Sequence, residues 1–142
     1  MIGRQVIPVN RTFTKEELLA FMEEHWDKET YSPFIYGKPT SMSMDEYIVL
    51  PASPRYVIIM YPAAKGGLFN KTDKIILSTA DSPSGASEGL MRQIPSRSVL
   101  SGTVKMNSLG SAEKERKGPA EEALQIYTAY MKELLGQEGY LL

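Results

Sequence analysis

The chain has 142 residues, with sixteen Lys and Arg against seventeen Asp and Glu, a single histidine and no cysteine. That length fits one domain spanning 1–142 with roughly two thirds of its surface buried on folding, and a composition that is 42% hydrophobic and 23% charged argues against both disorder and a coiled coil. A formal charge of −1 excludes a global attraction to nucleic acid, and the missing cysteines exclude disulfide frameworks, thiolate metal sites and thiol nucleophiles together.

The first ten residues, MIGRQVIPVN, lack the apolar stretch of a signal peptide, and no run approaches the roughly 18 residues that span a bilayer. The expectation is a soluble, cytoplasmic protein with no membrane partner. Residues 5–9 read as a short strand with Ile7 and Val9 on one face, and Pro8, which cannot donate a ladder hydrogen bond, places it at a sheet edge or strand end.

Residues 14–27 carry the clearest local signal. Thr14 is an N-cap, Glu17 three positions on completes a capping box, and Phe13 can staple against Leu18. Leu18, Phe21, Met22, His25 and Trp26 recur at helical spacing and form one apolar stripe, while Glu16, Glu23, Glu24 and Asp27 point elsewhere.

Pro33, Gly37 and Pro39 then interrupt any periodicity, leaving a connector with a short strand near 34–36. From 41 the period switches to two. Met42, Met44, Ile48 and Leu50 alternate with Ser41, Ser43, Asp45 and Tyr47, so a strand with one buried face is expected, and Glu46 falls on the buried side.

The stretch 55–61, RYVIIMY, is apolar on both faces and reads as a central strand. A short loop, 63–67, leads into a further strand, 73–80, so the two should pair antiparallel. Residues 81–89 are the most loop-like of the chain, 90–94 fits a strand or a helical turn, and 97–106 reads as a strand.

Gly118 and Pro119 open a second long helix, expected to end at Gly136 as its C′ residue. Ala120, Ala123, Leu124, Tyr127, Tyr130, Met131 and Leu134 form its stripe, and 113–117 adds a helical turn before it. The tail from 137 to 142 has too little pattern to place.

Strand, helix, several strands and a long helix make an α+β arrangement: an antiparallel sheet of about five to six strands, covered on one face by an N-terminal and a long C-terminal helix. The element order resembles the helix-grip folds, which implies an apolar ligand held between a curved sheet and the C-terminal helix. On that reading Trp26, Tyr127, Tyr130 and Met131 are pocket walls and His25 and Glu46 the polar contacts. Aromatic and methionine side chains suit adaptable apolar pockets, although they also make ordinary cores.

His25 is the one side chain whose ordinary titration lies near neutral pH, which suits a general base; its alternative is a half-buried helix-end histidine bonded to a backbone carbonyl. Glu46 is an inward acid or ligand-orienting group, or else an edge-protecting charge turned outward by a bulge. No catalytic residue is assigned. Ser87, Ser96 and Ser98 lack a nucleophile elbow, no phosphate-loop or dinucleotide motif occurs, and no carboxylate loop suits a metal, so no cofactor, metal or nucleic-acid partner is expected.

Two functions remain at this level. One is a small domain binding an apolar or amphipathic ligand in a cavity between sheet and helices. The other is a structural or protein-interaction module with a filled core, compatible with a homodimer, in which Tyr47, Tyr56 and Tyr61 present a sheet face.

Overall fold

The computed structural model describes residues 3–38, 45–53, 55–66, 72–81 and 116–142. Five strands, β1 (Arg4–Val9), β2 (Ile35–Gly37), β3 (Tyr47–Pro51), β4 (Tyr56–Ala63) and β5 (Asp73–Asp81), form one antiparallel sheet in the order β1-β5-β4-β3-β2. Helix α1 (Lys15–His25) follows β1, and α2 (Glu121–Gln137) closes the chain behind a π-helical turn, Arg116–Ala120. The α+β class and the antiparallel sheet agree with the sequence reading. Strand 97–106, segments 82–94 and 113–115, and Met42 and Met44 lie outside the described residues.

Local chemistry explains the element ends. Thr14 Oγ1 accepts from the Glu17 N–H at 3.0 Å while Glu17 Oε1 accepts from the Thr14 N–H at 3.0 Å, the reciprocal capping box the sequence spells out. The helix stops at His25 because Trp26 turns to extended backbone, its N–H still donating to the Met22 carbonyl at 2.9 Å. Leu18, Phe21 and Met22 enter the core from this helix.

Strand β4 sits at the centre and is buried from both sides, with Ile58 and Met60 on one face and Val57 on the other. A strand with two apolar faces can only be satisfied in the middle of a sheet. The main core gathers Ile7, Ile48, Leu50, Ile58, Ile75 and Leu77 from the strands against Leu124, Tyr127 and Met131 of α2. Each such side chain contributes roughly 1.5–3 kcal/mol when fully buried. Val49 and Val57 form a smaller cluster on the opposite face with Ile59 and Ala80.

Three local expectations change. Strand β3 begins at Tyr47, so Glu46 precedes it and is exposed; the two-residue alternation continues in sequence before the ladder begins, and without cross-strand bonds nothing holds Glu46 to the inner face. Tyr56 is buried in the main core, because it shares the face of Ile58 and Met60; Tyr47 and Tyr61 lie on the other face, half-buried, with ring centroids 5.2 Å apart. Gly136 lies inside α2, and the residue just beyond the helix that takes positive φ is Gly139, at +76°.

Gly139 makes the Schellman ending that the sequence assigned to Gly136. Its N–H donates to the Gly136 carbonyl at 3.1 Å, and the Tyr140 N–H donates to the Leu135 carbonyl at 2.9 Å. The turn sends the tail back along β1: the Asn10 N–H donates to the Tyr140 carbonyl, Leu141 bridges Val9, and the Leu142 N–H donates to the Pro8 carbonyl. Pro8 lies on outer strand β1 with its carbonyl turned away from β5 to accept the Leu142 N–H; its own missing N–H would lie on that same side, so no β1–β5 ladder bond is lost.

Candidate binding cleft

One surface cleft of about 390 Å³ runs along α1 from its first turn to its last, between the segment before α1 and the turn after α2, lined by Arg11, Phe13, Glu17, Phe21, Glu24, His25, Glu138 and Tyr140 among others. The last turn of α1 supplies Glu24 and His25. The Schellman turn after α2 supplies Glu138 and Tyr140, and the segment between β1 and α1 supplies Arg11 and Phe13.

The cleft floor is aromatic. Phe13 stands edge-on to Phe21 at 6.1 Å and to Tyr140 at 5.7 Å, and the His25 imidazole lies 4.5 Å from the Phe21 ring. The rim is acidic. His25 Nε2 is 3.3 Å from Glu138 Oε1 and 3.8 Å from Glu24 Oε2, so an imidazolium there pairs with both carboxylates.

On the other side Arg11 pairs with Glu17 and lies over the Phe13 ring, 4.3 Å from its centroid. The Thr14 N–H, followed by the Arg11 guanidinium, holds the Glu17 carboxyl below the usual carboxylate range. Glu17, Glu24 and Glu138 thus stand against one permanent cation. His25 lies in the last turn of α1, where the carbonyl end of a helix favours a cation by about 0.3–1 kcal/mol.

Of the six residues singled out from sequence, the structure joins three rings. Trp26 is buried 5.7 Å from Tyr127 and 4.8 Å from Tyr130, and its indole N–H donates to the Ser32 carbonyl at 2.9 Å. Tyr127 is wholly buried, its hydroxyl donates to the Pro51 carbonyl, and burial pushes the phenol well above its ordinary pKa. Met131 is wholly buried in the same core.

Tyr130 is half-buried, stacks on Tyr31 with centroids 3.7 Å apart, and accepts the Asp27 N–H at 3.1 Å just beyond α1. His25 turns away from this group into the surface cleft, beside a carboxylate and, among the described residues, with no ring hydrogen bond to a backbone carbonyl. Glu46 does not line that cleft.

Sequence reasoning missed Phe13 as a wall, Arg11, Glu24, Glu138 and Tyr140. The one available signal was Phe13 beside the capping box; the last two belong to the tail, which carries no periodicity. A second cleft, about 300 Å³, is lined by Val9, Asn10, Lys65, Thr72, Asp73 and Leu142. There the Asp73 carboxylate accepts the Thr12 hydroxyl at 2.9 Å and the Lys65 N–H at 3.0 Å, so its acceptors serve the protein's own loops.

Among the described residues no three His, Asp or Glu side chains are grouped to hold a metal ion, and no helix is long and apolar enough to cross a membrane. Comparison with protein-family profiles, with curated proteins and with solved structures found no match to this chain.

Proposed function

We propose that this protein is a small binding domain that takes the positively charged end of an amphipathic ligand in the cleft where α1 and α2 end. The observation that carries this reading is the acidic pair Glu24 and Glu138 flanking His25 above an aromatic floor. Aromatic faces attract a cation through their quadrupole and bury its apolar stem, while the carboxylates compensate its charge. Trp26, Tyr127, Tyr130 and Met131 support the site from behind by fixing the end of α1 against α2. The absence of cysteine suits a reducing, cytoplasmic setting.

Calorimetric titration with phenethylamine as probe tests the reading. Saturable binding that weakens with added salt and is lost in Glu138→Gln is expected. No saturable binding, or equal binding by the variant, ends it.

A second reading is a protein-interaction module with a packed core, compatible with a homodimer. It is favoured by Ile35 and Tyr36 on the short outer strand β2, which are 45% and 36% exposed. Sedimentation over a range of concentrations separates the two, since a strict monomer counts against self-association through β2.

A further inference from the structure

Arg11 shows what this cleft does with a guanidinium. Its Cζ lies 4.3 Å from the Phe13 centroid and 5.4 Å from that of Tyr140, and its Nη2 pairs with Glu17. A planar cation is thus held against two aromatic faces by one carboxylate on α1. The neighbouring half of the cleft offers similar parts: the His25 ring lying against the buried Phe21 ring, Tyr140 with its centroid 6.2 Å from that of Phe21, and two carboxylates, Glu24 and Glu138, beside His25 Nε2.

We propose that this second half receives the guanidinium of an arginine side chain carried by another polypeptide. The inference rests on the cation-binding reading above and narrows it to one partner chemistry. Charge complementarity selects a cation, since Arg11 and Glu17 neutralise each other and leave two carboxylates on the rim beside a single imidazole.

Geometry selects guanidinium over ammonium. The fork of N–H donors can address two carboxylates at once while the flat face lies on an aromatic ring, whereas an ammonium is a compact, strongly hydrated point charge. The cleft opens to solvent at the surface, so the side-chain stem can leave it toward a peptide backbone outside.

The test uses the full chain and blocked tripeptides, Gly-Arg-Gly, Gly-Lys-Gly and the neutral isostere Gly-citrulline-Gly, with methylguanidine as the free cation. Binding is read by calorimetry and by chemical-shift changes of the His25 ring. The arginine peptide should bind saturably, at least about tenfold tighter than the lysine peptide, with no binding by citrulline. It should also bind tighter than methylguanidine, which lacks the stem and backbone.

The exposed pair Glu24→Gln with Glu138→Gln should weaken arginine binding by at least about tenfold while circular dichroism stays unchanged. Equal binding by citrulline, equal binding by lysine, or an unchanged affinity in the double variant overturns the proposal. Phenethylamine binding that depends on Glu138, with no response to the arginine peptide, overturns this inference alone and leaves the broader reading in place. Silence toward both probes removes both.

Discussion

The Tyr127 hydroxyl donates to the Pro51 carbonyl at 2.5 Å, tying the middle of α2 to the last residue of β3 inside the core. Both residues are buried, so neither group can turn to water if the other is removed. Tyr127→Phe keeps the ring and removes the hydroxyl together with this bond, and it should cost about 1–2 kcal/mol in urea unfolding with an unchanged m-value. A loss below a few tenths would mean that the bond contributes little.

Gly136 and Gly139 should respond to alanine with opposite signs. Gly136 is inside α2, and among the described residues a Cβ there would meet only Leu141 Cδ2 at 3.9 Å, an ordinary contact, so Gly136→Ala should stabilise by about 0.5 kcal/mol through helix propensity. Gly139 has φ of +76°, and Gly139→Ala should destabilise by about 1 kcal/mol even though open space surrounds it. Thermal or urea unfolding of both variants reads the difference directly, and the same sign for both would place the helix end elsewhere.

Thr14→Ala removes the side chain that accepts the Glu17 N–H. The expected loss is about 1 kcal/mol, and Thr14→Asn should recover most of it because an amide oxygen also caps. Failure of asparagine to rescue would assign the loss to packing.

Asp73 makes part of the stability acid-sensitive. The Lys65 N–H first, and the Thr12 hydroxyl after it, hold its carboxyl below the usual range in the folded protein. A folded pKa below the unfolded one gives stability that is present above the ordinary carboxylate range and is lost as pH falls through the folded value. Stability measured from pH 7 downward should therefore decline more gently in Asp73→Asn, which is less stable at pH 7 but has no carboxylate to protonate there. Asp27, held low by the Thr30 N–H and hydroxyl, and Glu17 keep the remaining slope. Parallel curves for wild type and variant would remove Asp73 from the acid response.

Legibility in the sequence followed how local each determinant is. The capping box at Thr14 and Glu17 involves atoms three residues apart, and it reads directly from the chain. The central place of β4 was legible because residues 57–60 are apolar at every position, which no edge strand tolerates in water. Glu46 was not legible, because parity says which face a strand residue takes but not where cross-strand pairing starts; that start is set by β2 and β4 on either side of β3. The cleft was half legible: His25 was named for its chemistry, but Glu138 and Tyr140 come to it only after a turn whose glycine could equally have been Gly136.

Composition and periodicity alone determined one class of structure: antiparallel strands with two amphipathic helices, an apolar strand at the centre, and no cysteine chemistry. These follow from side-chain hydrophobicity and from backbone periods of two and 3.6, which each residue carries wherever it is placed. Tertiary structure decided which polar groups meet. It buried Trp26 and Tyr127 with their donors satisfied inside the core, and it turned His25 outward between Glu24 and Glu138. The reason is distance along the chain, since His25 and Glu138 become neighbours only when the cores of α1 and α2 are packed and the Schellman turn folds the tail onto β1.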